Sequence, residues 1–280
     1  MSGKLLLCAT PIGNLEDITY RVVRTLGEVD LIAAEDTRNS IKLLNHFDIE
    51  TPMTSYHEHN RKSKGEVLVQ RLLEGKDIAL ITDAGTPGIS DPGEELVKMC
   101  YEAGIEVTSL PGAAAAITAL TISGLPTRRF AFEAFLPSDK KERRATLTEL
   151  ATETRTIVLY EAPHRLTKTL DELLTSLGDR QTSVCRELTK IHETVVRLPL
   201  SQMLEYYQNH AVKGECVIVV EGRSREEMSL EERQEWLQIS VEEHLQNYLE
   251  KGIDKKEAMK MVAKDRGVSK REIYNQVNVN

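Results

Sequence analysis

The segment that most constrains this chain is residues 82–93, with the sequence TDAGTPGISDPG. It follows the apolar run 78–81, which predicts a buried strand, and precedes residues 94–100, whose acidic first turn predicts a helix. Ligands of open α/β sheets bind at the carboxyl ends of strands, which is where this loop lies. Its three glycines permit close backbone approach, and twelve residues are long for such a connection. We predict a ligand-binding loop, in which Asp91 also fits a role as cap of the next helix.

Composition narrows the class of protein. The 280 residues are 40% hydrophobic and 29% charged, as in ordinary soluble globular proteins. The formal net charge of -8 means that any contact with nucleic acid needs a local basic patch. No apolar run approaches the roughly 20 residues of a membrane helix. We therefore expect a cytoplasmic protein without membrane contact.

The histidines and cysteines show no pattern typical of a metal site. His57 and His59 flank Glu58, but residues two apart point to different faces of a helix, which favours a polar loop. The cysteines have neither metal-ligand spacing nor the arrangement of a disulfide framework; they are Cys8, Cys100, Cys185 and Cys216. We predict no metal.

Three further loops follow apolar strand-like runs. Residues 11–17 lack both the three-glycine dinucleotide fingerprint and the Walker ending, so neither motif identifies their ligand. Residues 35–38, with the sequence EDTR, fit a helix cap and a binding site equally well. Residues 111–116 are small enough for a helix N-terminus to lie close to a sheet or a ligand.

The pattern of elements changes twice along the chain. Residues 1–123 predict an α/β domain with a mostly parallel sheet, and residues 124–223 a second α/β domain with a mixed sheet. Within the second, 138–144 reads as a charged loop, and 182–187 and 193–198 as antiparallel neighbours, because their link is too short for a crossover helix. Residues 224–280 predict a helical extension. Its basic end resembles a helix-turn-helix and fits a charged helical cap equally well.

The sequence of these loops resembles that of a known family, the ribosomal RNA small subunit methyltransferase I group of the tetrapyrrole methylase superfamily. The resemblance rests on residues 82–93 and on shorter matches at 10–15, 35–38, 111–113, 160–165, 186–188, 255–258 and 271–274. It implies S-adenosylmethionine in a cleft between two α/β domains, a homodimer, and 2'-O-methylation of a cytidine in the decoding region of 16S rRNA, within the 30S subunit. The first loop is leaner in glycine than in most of the superfamily, which leaves open which of its side chains touch a ligand.

Candidate site residues follow from the resemblance and from the chemistry of methyl transfer. A cofactor without pyrophosphate explains glycine-rich loops that lack a Walker lysine. Weakly acidic ribose hydroxyls call for a nearby base or positive charge. The predicted cofactor-binding residues are Pro11, Gly13, Thr82, Asp83, Ala84, Gly85, Gly88, Ile89, Ser90, Pro111, Gly112, Ala113, Glu161 and Ala162. The catalytic candidates are Glu187, Arg186, Lys190 and His164, of which Arg186 and Glu187 fit structural ion pairs as well.

Two basic patches are the candidate RNA contacts. The first is Arg128, Arg129, Lys140, Lys141, Arg143 and Arg144, and the second is Lys255, Lys256, Lys260, Lys270 and Arg271. Two alternatives remain open: a small-molecule methyltransferase acting on a tetrapyrrole, and a nucleic-acid-binding regulator. The basic tail argues against the first, and the ligand loops argue against the second.

Overall fold

The computed structural model describes residues 2–278. The strands of this part are β1 Lys4–Cys8, β2 Leu31–Ala34, β3 Met53–Ser55, β4 Ile78–Ile81, β5 Glu106–Leu110, β6 Phe130–Phe135, β7 Thr156–Glu161, β8 Gln181–Arg186, β9 Thr194–Pro199 and β10 Cys216–Val220. Its helices are α1 Tyr20–Glu28, α2 Thr37–His46, α3 Arg61–Leu73, α4 Gly93–Glu102, α5 Ala115–Ile122, α6 Lys140–Ala151, α7 Leu166–Leu177, α8 Leu200–Asn209, α9 Arg225–Leu237, α10 Val241–Glu250, α11 Lys255–Arg266 and α12 Lys270–Asn278.

The first sheet has the order β3-β2-β4-β1-β5, and every neighbouring pair is parallel. β2 and β4 are buried along their whole length, as expected for strands covered by helices on both faces. The carboxyl ends of all five strands therefore meet at one edge. There, Thr10 and Gly85 exchange two backbone hydrogen bonds of 2.9 and 3.1 Å, which join the loops after β1 and β4.

The second sheet has the order β6-β7-β10-β8-β9. β6 and β7 are parallel and the other pairs are antiparallel, so the predicted mixed sheet and the predicted antiparallel pairing of β8 with β9 are confirmed. One face packs on α6, α7 and α8, and the other face covers α5 from the first half of the chain. The predicted α/β fold class with a helical tail is confirmed.

The chain forms two compact units. Both sheets belong to the first, which comprises residues 1–151 and 155–221. The second comprises residues 152–154 and 222–280 and contains α9 to α12. Its core is built on Leu245, Val262 and Ile273. A left-handed Gly267 ends α11, and α12 begins three residues later, so the predicted short turn between these helices is present. Between residues 2 and 278, no helix is long and apolar enough to span a membrane.

The structure corrects the predicted charged loop at 138–144. Residues from Lys140 onward form the first turns of α6, because the Asp139 carboxylate accepts the free backbone N–H groups of Lys141 and Glu142 at 2.9 and 3.0 Å. The basic residues of this segment therefore lie on a helix, where spacing decides which of them face solvent.

Candidate active site

A cleft of about 480 Å³ lies in the first compact unit. One wall comes from the strand-end loops of the first sheet and the start of α5, and the other comes from the second sheet. The first wall contains Ile12, Glu35, Thr82, Asp83, Ala84, Gly85, Thr86, Ile89, Ser90, Asp91, Ala114 and Ala115. The second contains Phe135, Tyr160, Glu161, Ala162, Pro163, Cys185, Leu188, Glu215, Cys216 and Val217.

The loop after β4 is held in shape by its own residues. The Asp91 carboxylate accepts the backbone N–H groups of Gly88, Ile89 and Gly93 at 3.0, 3.0 and 2.8 Å. Asp91 therefore closes the loop as well as supporting the start of α4. Gly85 has a φ of +87°, and Ser90 has a φ of +67°, which is uncommon for a residue other than glycine. Such backbone strain persists where the surrounding structure fixes it, often at functional sites.

The N-terminus of α5 presents small residues to the cleft. Ala114 precedes the helix, and no side chain caps it. The backbone N–H of Ala116 donates to the Tyr160 hydroxyl of the second sheet at 3.3 Å. Burial raises the pKa of this hydroxyl, so it stays protonated and keeps its own proton for a further acceptor. This hydrogen bond joins the first turn of α5 to β7 of the second sheet.

Glu161 is a buried carboxylate on the cleft wall, with 2% of its surface exposed. Its oxygens accept the Ala162 N–H at 2.8 Å and the Thr169 hydroxyl, and they lie 3.5 Å from Arg165 and 4.0 Å from Arg143. Arg143 also donates to Glu172 at 2.6 Å and is buried. The structure therefore corrects the assignment of Arg143 to the RNA patch, because its guanidinium is buried beside Glu161 and Glu172 and does not face solvent.

The cleft is acidic. Among residues 2–278, its lining holds five carboxylic acids and no lysine, arginine or histidine. Asp83 accepts the Asn39 side-chain amide at 3.2 Å, and Glu35 lies 3.5 Å from the Asp83 N–H. Burial, together with the nearby Asp83 and Asp91 carboxylates, raises the pKa of Glu35, although the Asp83 N–H opposes this. A cationic group is the ligand that best complements such a surface.

Comparison with known proteins identifies the family. A family model described as Tetrapyrrole (Corrin/Porphyrin) Methylases matches residues 4–204. Relatives that match nearly the whole chain bear the name Ribosomal RNA small subunit methyltransferase I. The one from Halalkalibacterium halodurans is 52% identical over 98% of this chain and 94% of its own, and the one from Bacillus subtilis is 47% identical over 99% and 94%. The chain belongs to this methyltransferase family.

A solved structure supports the fold alone. The uroporphyrin-III-C-methyltransferase of Thermus thermophilus superposes with a TM-score of 0.57 at 19% identity, covering 78% of this chain and 94% of that one. The match is in agreement with two packed α/β halves. The resemblance found in the sequence motifs is confirmed by the relatives and the family model.

The predicted cofactor-binding residues of this methyltransferase fall into two groups. Eight line the cleft, namely Thr82, Asp83, Ala84, Gly85, Ile89, Ser90, Glu161 and Ala162. Six are not part of the lining, namely Pro11, Gly13, Gly88, Pro111, Gly112 and Ala113. Of these, Gly112 packs so closely on Ala9 that a Cβ would stand 2.6 Å from its methyl group. The Ala113 carbonyl accepts the Thr86 hydroxyl at 2.9 Å. These six shape the loops that carry the lining.

None of the four predicted catalytic residues lines the cleft within the described chain. Glu187 accepts Lys190 at 2.9 Å, and Lys190 also reaches Glu215 at 3.1 Å, so this pair borders the cleft through Glu215. Lys190 supports the Glu187 carboxylate and lowers its pKa. Arg186 donates to the Lys213 carbonyl at 2.7 Å. His164 is exposed, one residue beyond Pro163 of the lining.

The other predicted RNA contacts are arranged in two places. Arg128 and Arg129 are exposed just before β6, and Lys140, Lys141 and Arg144 are exposed on α6. These five form no ion pair among the residues described here. In the second unit, Lys255, Lys256, Lys260 and Arg271 are exposed and Lys270 is half-buried. Lys260 pairs with Glu257 at 2.9 Å.

Sequence reasoning missed part of the second wall. Glu215, Cys216 and Val217 stand at the start of β10 and line the cleft. An antiparallel strand brings its N-terminal end to the edge where its neighbours end, and Cys216 pairs with both Glu161 and Arg186. These three residues could have been identified only from the order of the strands, and no local sequence pattern reveals that order. Glu35 belongs to the EDTR segment at 35–38. Its position directly after β2 is the signal that could have identified it as a lining residue.

Proposed function

We propose that this protein transfers a methyl group from S-adenosylmethionine to the ribose 2'-hydroxyl of a cytidine in the decoding region of 16S rRNA, within the 30S subunit. The observation that carries this proposal is the 52% identity to a relative named Ribosomal RNA small subunit methyltransferase I, over 98% of the chain. A match of this extent includes the helical tail as well as the cleft. Methylase family membership supports the reaction type.

The cleft fits S-adenosylmethionine on chemical grounds. The cofactor supplies a methyl group on a sulfonium cation, and it also carries an amino group, a ribose and an adenine. Asp83 offers a carboxylate to hydroxyl or ammonium groups. Gly85, Ala114 and Ala115 leave room for a ligand to approach the backbone. Cys185, Leu188 and Val217 offer an apolar surface to a flat ring.

Glu35 is the group that best fits the role of proton acceptor. The acceptor oxygen must be held about 3–3.5 Å from the methyl carbon, and it must lose a proton as the bond forms. Glu35 lines the cleft, whereas the four residues predicted from the sequence border it or lie outside. For Glu187 and Lys190 we propose a positioning role. Lys190 packs so closely on the first loop that a Cβ on Gly13 would lie 2.5 Å from its side chain.

The test of the proposed function is methyl transfer to 30S particles that lack the modification. With labelled S-adenosylmethionine, we expect label in the rRNA, and mass spectrometry of the digested RNA should give 2'-O-methylcytidine. The product should also resist alkaline cleavage at the methylated nucleotide. A base-methylated product, or transfer only to a free tetrapyrrole, would contradict the proposal. A homodimer and a cytoplasmic location stay predictions, the first to be tested by analytical ultracentrifugation.

RNA binding by an acidic protein should depend on its exposed basic patches. Lys140→Glu with Lys141→Glu is expected to weaken 30S binding and to flatten its salt dependence by about 0.7 in the log–log slope for each lost phosphate contact. Lys62→Glu with Lys98→Glu, on exposed parts of α3 and α4, makes the same change in net charge and should leave the slope unchanged. Equal slopes for the two double variants would show that the α6 lysines do not contact phosphate.

A further inference from the structure

A β-bulge reverses the direction of the side chains at the end of β6. Phe130 pairs with Thr156 and Phe132 with Val158, but the register then shifts, so that Ala134 pairs with Leu159 and Phe135 with Tyr160. Ala134 takes a left-handed conformation, with a φ of +50°. Without the extra residue, alternation would place residue 135 on the face of Ile157 and Leu159. Bulges often re-aim a side chain beside an active site.

The consequence is a row of aromatic rings that ends in the cleft. The ring centroid of Tyr160 lies 5.0 Å from that of Phe132 and 5.6 Å from that of Phe135. Phe132 and Tyr160 pack on the core between the two sheets, and Tyr160 also reaches the cleft, whereas Phe135 lies outside that core and lines the cleft with 52% of its surface exposed. Core packing explains the two inner rings. It does not explain why a strained backbone presents the third ring to the cleft.

We propose that Phe135 is the platform on which the base of the methylated nucleotide stacks, an inference that rests on the proposed function. Single-stranded RNA is recognised by stacking unpaired bases on exposed aromatic rings. The base attached to the reacting ribose must enter the cleft together with its 2'-hydroxyl, since that hydroxyl has to reach the methyl group. Phe135 is the exposed phenylalanine of the lining, and it stands on the wall opposite Glu35 and Asp83.

The surroundings of Phe135 favour RNA as the occupant. Lys140 and Lys141 follow it by five and six residues and are exposed at the start of α6, and Arg144 is exposed one turn later. These side chains suit the phosphates on either side of a stacked base. A tetrapyrrole, whose peripheral groups are carboxylates, would also meet this charge, but the relatives that cover nearly the whole chain carry the name of an rRNA methyltransferase.

The test compares Phe135→Leu, which removes the ring, with Phe135→Tyr and Phe135→Trp, which keep one. For Phe135→Leu we expect the KM for 30S particles to rise by about 5- to 150-fold, the equivalent of 1–3 kcal/mol for one stacked base. The affinity for S-adenosylmethionine, measured by calorimetry, should stay within about twofold. The tyrosine and tryptophan variants should retain most of the wild-type KM. Phe130→Leu, at the far end of the same strand face, is the matched control and should behave as wild type.

Three results would overturn the proposal. The first is a KM for Phe135→Leu equal to that of the tyrosine variant, which would remove any role for the ring. The second is an equal loss of cofactor affinity, which would make Phe135 a cofactor contact. The third applies if the wild-type enzyme does not methylate 30S particles, a failure that by itself refutes the proposed function. In that case, the stacking is tested separately by measuring the binding of labelled hexacytidylate. If wild type and Phe135→Leu bind it equally, or if neither binds it, the stacking proposal is refuted.

Discussion

Replacing Gly85 with valine is expected to abolish cofactor binding while the protein remains folded. Gly85 lines the cleft at a φ of +87°, and it pairs through two backbone hydrogen bonds with Thr10. A Cβ there would stand 3.4 Å from Ile12 and 3.6 Å from the Ala113 carbonyl, between the loops after β1 and β5. The two further methyl groups of valine would occupy the space that a ligand needs. We expect at least about 100-fold weaker binding of S-adenosylmethionine by calorimetry, or about 2.7 kcal/mol.

Gly104 offers a matched control for backbone strain. It also has a positive φ, of +68°, but a Cβ at this position meets nothing within 4 Å, and the residue does not line the cleft. Gly104→Val should therefore lose a similar amount of stability, about 1–2 kcal/mol for a left-handed residue with a side chain, and bind the cofactor as wild type does. Far-UV circular dichroism and urea unfolding of both variants separate strain from steric exclusion. Wild-type affinity in Gly85→Val would exclude this loop as the binding wall.

The parts of the fold that could be predicted are those determined by residues close together in the sequence. β2 and β4 are short, wholly apolar runs bounded by polar loops, and burial on both faces of a parallel sheet requires that pattern. The loop at 82–93 was identified for the same reason, because its position follows from the strand before it. Eight of the fourteen predicted cofactor-binding residues line the cleft, and the other six stand in the loops that support it.

Arg143 shows where local reasoning failed although a signal existed. Read as part of a loop, the segment KKERR is a basic patch with four cationic side chains and one glutamate. Read as a helix, Arg143 falls four and seven residues before Leu147 and Leu150, on the buried stripe of α6. What the sequence could not reveal is the reason an arginine is tolerated there. Its partners Glu161 and Glu172 come from β7 and α7, which only the tertiary structure brings together.

The second wall of the cleft could not be predicted by following strand ends alone. That rule finds every loop of a parallel sheet, and Glu161, the last residue of β7, conforms to it. It overlooks β10, whose antiparallel direction brings Glu215 and Cys216 to the same edge from the start of a strand. The position of Phe135 in the cleft could not be predicted for a related reason. A bulge changes the alternation of side chains along β6, from which the face of the sheet that carries residue 135 would be predicted.

Replacing Glu35 with glutamine is expected to remove most methyl transfer while leaving the fold intact. Glutamine keeps the size of the side chain and cannot take up the proton of the acceptor hydroxyl. A general base contributes about 10²- to 10⁴-fold to a rate, so we expect kcat to fall by that factor. Asp36→Asn is the matched control. Asp36 is the N-cap of α2, pairs with Arg38 at 2.7 Å and lies outside the cleft lining, and asparagine caps a helix about as well.

The pH dependence of the rate gives a second, independent readout. Burial and the neighbouring Asp83 and Asp91 carboxylates raise the pKa of Glu35, so its basic form is lost at a higher pH than that of an ordinary glutamate. The wild-type rate should therefore fall as the pH drops through this raised pKa. The residual activity of Glu35→Gln should show no such limb. The same acid limb in both enzymes would assign the base to another group.

Through its raised pKa, Glu35 makes stability depend on pH with the opposite sign from a carboxylate whose pKa is lowered by folding. Measuring stability therefore separates a catalytic role of Glu35 from a role in folding. A carboxyl whose pKa is raised in the folded state favours folding when it is protonated, and this contribution is lost as the pH rises above its ordinary pKa and through the raised one. At a pH above the raised pKa, the carboxylate is charged in both states, and burial of that charge opposes folding. Glu35→Gln should thus be at least as stable as wild type in urea unfolding at pH 7. A variant whose activity falls only in proportion to its loss of folded protein would indicate that Glu35 supports the fold, and that its carboxylate is not the proton acceptor.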